Sequence, residues 1–299
     1  MRRSPLALSA VLALTFPLAA CGSDSLEEGG ESATSATESV EVEADESLSE
    51  MVPAEIKDKG TLTVGSDASY APNEFLGDDG KTVEGMDVDL FDAVADKLGL
   101  KTQWQNGPFD ALILGVDSGK YDVSVSSFTI NDERKEQVNM ISYFSAGTQW
   151  VTTTGNPEGI DPEDACGKTV GVQKGTVQLD EIKDATKKCE EDGKEPINSV
   201  VEQEQSKVTA SLVSGKTDAM LADSPIALYA VKQNEDKLEA LGETYDSAPY
   251  GFVVPKDQTE FADAIAEALK AIKEDGTYDT VLKNWGQESG GVDDFAVNP

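Results

Sequence analysis

The chain has 299 residues, of which 24 are basic, 57 are acidic and none is histidine, so its formal net charge at pH 7 is −33. So negative a surface repels nucleic acid and anionic lipid, which disfavours any polyanion-binding role. Without histidine the chain cannot build a Ser-His-Asp triad, a Cys-His pair or a histidine-ligated zinc site. The composition does not exclude an enzyme that uses carboxylates for acid/base catalysis.

The N-terminus has the features of a targeting segment. Arg2 and Arg3 precede an apolar stretch, Leu6–Leu18, that is too short to span a bilayer comfortably. The following Leu18-Ala19-Ala20-Cys21 resembles the lipobox of bacterial lipoproteins, in which the cysteine is diacylated and becomes the mature N-terminus. The resemblance implies a signal peptide over 1–20, lipidation of Cys21 and a lipid-anchored protein at the extracytoplasmic face of the cell membrane. The alternative is an ordinary signal peptide with an unmodified cysteine.

The next segment, 21–54, is rich in Ser, Glu, Asp, Gly, Thr and Ala and has no aromatic residue. Such a composition cannot bury a core, so we predict a disordered tether. Its acidic side chains would keep it extended.

From residue 55 onward the pattern alternates short apolar runs with helical periodicity. Strands are predicted at 61–64, 101–104, 121–125, 168–172 and 219–221. Helices are predicted between them, with apolar residues three and four apart, and a long helix and a shorter one end the series near Trp285. Repeated β-α-β units with short connections imply an α/β class with an open, largely parallel sheet. The chain divides into two similar α/β halves.

Two cysteines, Cys166 and Cys189, lie in the second half. Outside the cytoplasm an even pair favours a disulfide over a metal site. Two thiolates without histidine cannot complete a zinc shell. We therefore predict a Cys166–Cys189 bond, no metal and no cofactor.

The sharpest local motif is Gly85-Met86-Asp87-Val88-Asp89-Leu90, followed by an amphipathic helix. It resembles the signature of the family 3 solute-binding proteins, which serve polar amino acid importers. Met86 departs from the Phe, Tyr, Ile or Leu usual there. Physically, Asp87 can cap the helix and Asp89 complements its positive end, so neither acid is given a binding role.

The resemblance extends over residues 55–286 through several further segments. They are Phe109-Asp110-Ala111-Leu112-Ile113, Tyr121-Asp122-Val123, Gly171-Val172-Gln173-Lys174-Gly175-Thr176, Asp218-Ala219-Met220 and Asp275-Gly276-Thr277-Tyr278. It implies a two-lobe, periplasmic-binding-protein-like (type II) fold, each lobe a mostly parallel sheet flanked by helices. Lobe 1 would comprise 55–147 and 248–299, and lobe 2 would comprise 148–247, with hinge strands near 146–152 and 244–250.

An α-amino acid zwitterion needs N–H donors for its carboxylate and a carboxylate for its ammonium group. The resemblance implies that Arg134 holds the ligand carboxylate and that Asp223 pairs with the amine from the second lobe. In isolation, Arg134 would be a surface ion-pair residue and Asp223 a helix N-cap. The other positions that the resemblance implies for binding the ligand's carboxylate and amine are Ser126, Ser127, Thr129, Gly175, Thr176 and Val177. The last three lie between a strand and a helix, where backbone N–H groups bind anions.

The residues implied to choose the ligand side chain are Asp67, Tyr70, Phe109 and Gln173. Tyr70 and Phe109 could enclose a flat or aliphatic side chain, although Phe109 could equally be plain core. Asp67 favours a side chain that donates hydrogen bonds. No spare cation is evident, which disfavours glutamate and aspartate. Glutamine or a basic amino acid is therefore preferred.

The function implied by the resemblance is that of a monomeric substrate-binding lipoprotein of an ABC importer. It would capture a polar L-amino acid between its lobes and deliver it to the permease and ATPase complex. Two alternatives stay open at this point. One is an amino-acid receptor that does not feed transport, and the other is a dehydratase or lyase on the same fold that uses a carboxylate as acid or base.

Overall fold

The computed structural model describes residues 42–299. The predicted signal peptide, the lipidation site Cys21 and the tether up to residue 41 lie outside the described residues. Within residues 42–299 no helix is both long and apolar enough to cross a membrane.

Eleven strands are present in the described part of the chain. They are β1 (Thr61–Ser66), β2 (Ser69–Tyr70), β3 (Glu74–Leu76), β4 (Val83–Glu84), β5 (Lys101–Asn106), β6 (Val123–Thr129), β7 (Val138–Thr153), β8 (Thr169–Gln173), β9 (Asn198–Glu202), β10 (Ala219–Asp223) and β11 (Leu238–Pro255). The five strands predicted from apolar runs correspond to β1, β5, β6, β8 and β10.

Ten α-helices lie between and after these strands in the same residues. They are α1 (Glu46–Met51), α2 (Ala54–Lys59), α3 (Met86–Lys97), α4 (Leu112–Asp117), α5 (Asp132–Gln137), α6 (Val177–Glu191), α7 (Gln205–Val213), α8 (Ser224–Gln233), α9 (Thr259–Glu274) and α10 (Thr277–Trp285). Short 3₁₀ turns at Phe109–Ala111 and Glu288–Gly290 complete the described elements.

Eight strands form one sheet in the order β5-β1-β6-β11-β7-β10-β8-β9. Strand β1 is parallel to β5 and β6, and β8 is parallel to β9 and β10. Between these two parallel triplets, β7 and β11 form a long antiparallel pair that belongs to both halves. This mostly parallel sheet flanked by helices is the α/β architecture expected from the β-α-β pattern.

We call the half built on β1, β5 and β6 lobe 1, and the half built on β8, β9 and β10 lobe 2. The predicted hinge segments, 146–152 and 244–250, lie within β7 and β11, whose pairing shifts register three times between Leu241 and Gly251. Separate apolar clusters fill the lobes: one contains Phe91, Phe252 and Leu269, and another contains Trp150 and Ile182. Burial of apolar surface in each cluster stabilises its own lobe, while the lobe boundaries themselves stay a prediction.

Part of the predicted tether is folded. Helix α1 occupies residues 46–51, and its N-cap Asp45 accepts hydrogen bonds from Ser47 N and Leu48 N. Ser49 Oγ donates to the carbonyl of Leu98 at 2.9 Å, and Val52 is buried against the lobe 1 core. The prediction of disorder up to residue 54 is therefore wrong for this stretch, because a few apolar side chains are sufficient to dock one helical turn on an existing core.

The Cys166–Cys189 bond is present, with an Sγ–Sγ distance of 1.99 Å. It links the loop before β8 to the end of α6, and Cys189 is buried within the lobe 2 core. Across residues 42–299, no group of three acidic, cysteine or histidine side chains is arranged to hold a metal ion.

Candidate ligand-binding site

The candidate site lies where strands of both lobes end. Asp67 follows β1, Ser127 lies near the end of β6, Gln173 ends β8 and Asp223 ends β10. Ligands of open α/β sheets bind outside the carboxyl ends of parallel strands. The two lobes thus direct the ends of their parallel strands toward a common cleft.

Arg134 lies in the first turn of α5, where Asn131 Oδ1 caps the helix by accepting from Arg134 N. Arg134 is 9% exposed, and its guanidinium donates to the carbonyls of Thr129 at 2.7 Å and Gly175 at 3.1 Å. Its Cζ lies 5.5 Å from the ring centre of Phe109, a cation–π distance. It is also the only arginine after Arg3 in the sequence.

No carboxylate among residues 42–299 forms an ion pair with Arg134. Burial lowers its pKa, and the more distant negative charge of Asp223 partly opposes that effect. A buried cation bonded only to neutral carbonyls is poorly compensated. Arg134 is therefore a buried guanidinium suited to an anionic group, and the surface ion-pair interpretation does not apply.

Asp223 occupies the N-cap position of α8, but its side chain makes no capping hydrogen bond. Its Oδ2 accepts from Tyr70 Oη at 2.8 Å and its Oδ1 from Gln178 Nε2 at 2.7 Å. Burial raises its pKa, while the hydrogen bonds from Tyr70 and Gln178 oppose the rise. The buried Tyr250 hydroxyl lies beside the carboxylate without forming a hydrogen bond to any residue between 42 and 299. The plain N-cap interpretation is thus excluded, and Asp223 is a buried carboxylate held by neutral donors.

Asp67 and Gln173 meet across the cleft. Gln173 Nε2 donates to Asp67 Oδ2 at 2.7 Å, and Phe109 N donates to the same oxygen at 3.2 Å. Burial raises the pKa of Asp67. The Oε1 atom of Gln173 is buried and accepts no hydrogen bond from any residue between 42 and 299. A carboxylate and a neighbouring free carbonyl together offer acceptors to a donor-rich group.

The two predicted aromatic residues have different neighbours. Tyr70 is buried and its hydroxyl is bonded to Asp223, whereas Phe109 stacks on Phe128 with ring centres 4.9 Å apart. Phe109 is half-exposed at the cleft and lies under the Arg134 guanidinium. That these two rings enclose a ligand side chain stays a prediction.

The Gly175–Val177 segment begins helix α6 opposite Arg134. Gly175 has a positive φ of 84° and its carbonyl accepts from Arg134. Thr176 is the N-cap, with its Oγ1 accepting from Leu179 N and donating to the carbonyl of Gln173 at 2.8 Å. The helix N-terminus therefore faces the guanidinium, so an anion between them would meet positive potential from both sides.

The hydroxyls of Ser126 and Ser127 point into a buried polar cluster. Ser126 Oγ accepts from Asp67 N and donates to Glu74 Oε1 at 3.1 Å. Ser127 has a positive φ of 50°, and its backbone N donates to Asp87 Oδ2 at 3.1 Å. The predicted capping role of Asp87 is wrong: the helix begins after Gly85 without a side-chain cap, and the buried Asp87 carboxylate binds the Ser127 turn instead.

Contacts between the lobes close the cleft around these groups. Besides the bonds already described, Lys174 forms a 2.8 Å ion pair with Asp110, and Ser69 Oγ accepts from Gln205 N at 3.0 Å. A cavity of about 400 Å³ borders Asp67, and another of about 270 Å³ borders Arg134. The described site is therefore in a closed arrangement, and Asp67 and Arg134 each line a cavity.

Three participants were not identified from the sequence: Gln178, Tyr250 and Glu74. They come from α6, β11 and β3, far from one another along the chain. No local motif marks a glutamine in a helix, a tyrosine in a long strand or a glutamate in a three-residue strand as part of a site.

Residues 62–288 match the family described as bacterial extracellular solute-binding proteins, family 3. The chain is 33% identical over 298 residues to the arginine-binding protein ArgT of Corynebacterium glutamicum, covering 99% of this chain and 96% of that protein.

Among solved structures, it resembles an ancestral arginine-binding protein bound to arginine, with a TM-score of 0.70, 37% identity and coverage of 76% of this chain and 98% of that one. It also resembles the ancestral amino acid-binding protein AncCDT-1, a precursor of cyclohexadienyl dehydratase, with a TM-score of 0.70, 31% identity and coverage of 77% of this chain and 97% of that one.

Proposed function

The chain belongs to the bacterial extracellular solute-binding proteins of family 3, and on that premise we propose that it captures a basic amino acid, arginine in the first place, for an ABC importer. The observation that carries this proposal is a pair of opposite buried charges. Arg134 in lobe 1 and Asp223 in lobe 2 each form hydrogen bonds to neutral partners. Neither side chain forms an ion pair with any residue in the described range 42–299. The carboxylate and ammonium of a zwitterion would supply both missing counter-charges.

The preference for arginine rests on the acceptors at the other end of the site. Asp67 carries a buried carboxylate, and Gln173 Oε1 is a free buried acceptor beside it. A guanidinium presents five N–H donors in a plane, more than any other amino acid side chain. Glutamine offers two donors and no positive charge, so it would satisfy these acceptors less fully. The names of ArgT and of the arginine-bound ancestral protein support the same choice.

Transport rather than catalysis is the activity we propose. All carboxylates of the site accept hydrogen bonds from fixed protein donors, and Arg134 is positioned as an anion clamp. A dehydratase is the second candidate function, because the chain resembles AncCDT-1, an ancestral binding protein described as a precursor of an enzyme. Turnover of a candidate substrate by the purified protein would favour this second candidate.

The mechanism follows from the opposite lobes that carry the two charges. A ligand that bonds to Arg134 and Asp223 at once interacts fully only with the closed arrangement, so it shifts the population toward closure. Motion about β7 and β11 is the hinge closure expected of periplasmic binding proteins. The closed protein would then deliver its ligand to the permease. A lipid-anchored monomer at the extracytoplasmic face remains part of this proposal.

The test is a thermal-shift screen with the twenty amino acids followed by calorimetric titration. A ligand that binds only native protein stabilises it by RT ln(1 + [L]/Kd). We expect arginine to give the largest shift, with lysine and glutamine weaker. Arg134→Ala and Asp223→Ala should each remove the shift while the protein remains folded. An unchanged shift in both variants would refute the site, and a larger shift with an acidic amino acid would refute the preference.

A further inference from the structure

Glu74 and Asp87 form a buried pair of acids beneath the Ser126–Ser127 turn, with both residues fully inaccessible to solvent. The two carboxyl groups meet at one hydroxyl: Ser127 Oγ lies 3.3 Å from Glu74 Oε2 and 3.1 Å from Asp87 Oδ2. No lysine or arginine within residues 42–299 makes an ion pair with either acid. Two acids this close, buried and without a counter-charge cannot both ionise, so one of them retains a proton.

The hydrogen bonds show which acid carries the charge. Asp87 Oδ2 accepts from Ser127 N and Ser127 Oγ, both at 3.1 Å, and from Tyr143 Oη at 2.5 Å. Glu74 contacts only the hydroxyls of Ser126 and Ser127, which can accept as well as donate, whereas the backbone N–H on Asp87 can only donate. Asp87 is thus the ionised acceptor and Glu74 the protonated partner.

These bonds set the shape of the site. Ser127 has a φ of 50°, a conformation that costs a non-glycine residue free energy and persists only when its surroundings enforce it. Asp87 binds both polar groups of Ser127, and Asn73 Nδ2 donates to Ser127 Oγ at 2.9 Å. Two residues further on, the carbonyl of Thr129 accepts from the Arg134 guanidinium. The acid pair therefore determines the course of the strand end that orients the carboxylate clamp.

We propose that Glu74 and Asp87 hold a single proton between them and that this singly charged pair is the positioning device of the Ser126–Thr129 segment. The proposal rests on the proposed function, because its effect on binding is exerted through Arg134. It assigns Asp87 and Glu74 as positioning residues that do not touch the ligand. Losing the proton would place two negative charges side by side and push the turn out of shape.

Burial and the charges of the neighbouring groups favour retention of this proton. Burial raises the pKa of Glu74 well above its usual value, and the charge of Asp87 raises it further. Asp67 adds negative charge from the loop after β1, and the remaining titratable neighbours are the neutral hydroxyls of Tyr70 on β2 and Tyr143 on β7. A folded-state pKa above the unfolded value means that the corresponding stability is complete at low pH and is lost as pH rises through the folded pKa.

The experiment compares wild type with Glu74→Gln, Asp87→Asn and the control Asp89→Asn. In Glu74→Gln the neutral amide replaces the protonated carboxyl and has no titratable proton, so arginine affinity at neutral pH should stay within about threefold of wild type. Asp87→Asn removes the charge that accepts three bonds and should weaken binding by about tenfold or more. Asp89 is the neighbouring acid on α3, bonded to Trp285 away from the turn, and its variant should bind as wild type does.

The pH profile separates a positioning role from a merely structural one. Wild-type unfolding free energy should fall as pH rises above the usual glutamate pKa of about 4.3. Wild-type affinity should fall as pH rises through the folded-state pKa of Glu74, and Glu74→Gln should lack both components. Equal weakening by Glu74→Gln and Asp87→Asn, or identical pH profiles for wild type and Glu74→Gln, would overturn the proposal. If wild type binds no amino acid, the proposed function fails, while the ligand-free unfolding profiles still decide whether the proton is there.

Discussion

Gly175 of lobe 2 lies so close to Asp110 of lobe 1 that a Cβ at position 175 would stand 2.9 Å from the Asp110 Cβ and 3.1 Å from its Cα. Real Cβ atoms rarely approach that closely, and the backbone of Asp110 cannot move aside without moving the lobe. The missing side chain at 175 is therefore what lets the lobes meet and lets Arg134 reach the Gly175 carbonyl.

Gly175→Ala should weaken amino acid binding by about tenfold, because the new methyl group obstructs the closed arrangement. Gly155→Ala is the control for backbone strain, because Gly155 has a similar φ of 82° and no atom lies within 4 Å of the added Cβ. Both variants should lose about 1 kcal/mol of unfolding free energy from the positive φ. Calorimetric titration should show weakened binding for Gly175→Ala alone; equal affinities for the two variants would contradict the closure argument.

Asp223→Asn should raise the dissociation constant for arginine by about a hundredfold, because the neutral amide no longer compensates the ligand ammonium. The ligand-free protein should keep its unfolding free energy within about 1 kcal/mol, since Asn still accepts one bond and the buried charge is gone. Asp184→Asn makes the same change on the exposed face of α6. Titration should find Asp184→Asn unchanged, and wild-type affinity in Asp223→Asn would rule out an ammonium contact.

Arginine affinity should fall as the pH is lowered, and the fall should begin at a higher pH than the usual pKa of aspartate. Burial raises the pKa of both Asp67 and Asp223, so each gains a proton earlier as pH falls and loses the charge that attracts a cation. Each such group contributes up to a tenfold change in Kd per pH unit below its pKa.

Titrations between about pH 4 and pH 8 test this acid dependence. The Asp67→Asn variant should bind arginine more weakly at neutral pH and show a shallower pH dependence than wild type. A Kd that stays constant down to about pH 4 would contradict the assignment of either carboxylate to the ligand.

Replacing both Cys166 and Cys189 by serine should lower the free energy of unfolding by about 3 kcal/mol, the loop-closure value for residues separated by 23 positions. Arginine affinity should be unchanged, because the bridge joins the loop before β8 to the end of α6, opposite the helix end that faces Arg134. Urea unfolding of wild type with and without reductant measures the effect. Reductant should have no effect on the double variant; if it does, the loss in wild type has another cause.

Local physics was sufficient to predict most of the fold. The periodic spacing of Phe261, Ile265 and Leu269 predicted the helix observed as α9, and continuous apolar runs predicted the parallel strands. Helix α1 was missed because the composition of 21–54 was averaged over the whole segment. The few apolar side chains that dock α1 are visible only when the core that receives them is present.

The sequence by itself determined the alternation of strands and helices and the disulfide partners. Through the family resemblance it also predicted the two halves and the pairing of Arg134 and Asp223 with a ligand, which remain proposals. Tertiary structure alone decided that Asp87 binds the Ser127 turn rather than capping its helix, and that Glu74, Gln178 and Tyr250 take part. The reason is physical: a helix cap depends on neighbours two or three positions away, whereas a buried carboxylate takes its partners from whichever strands the fold brings within hydrogen-bond distance.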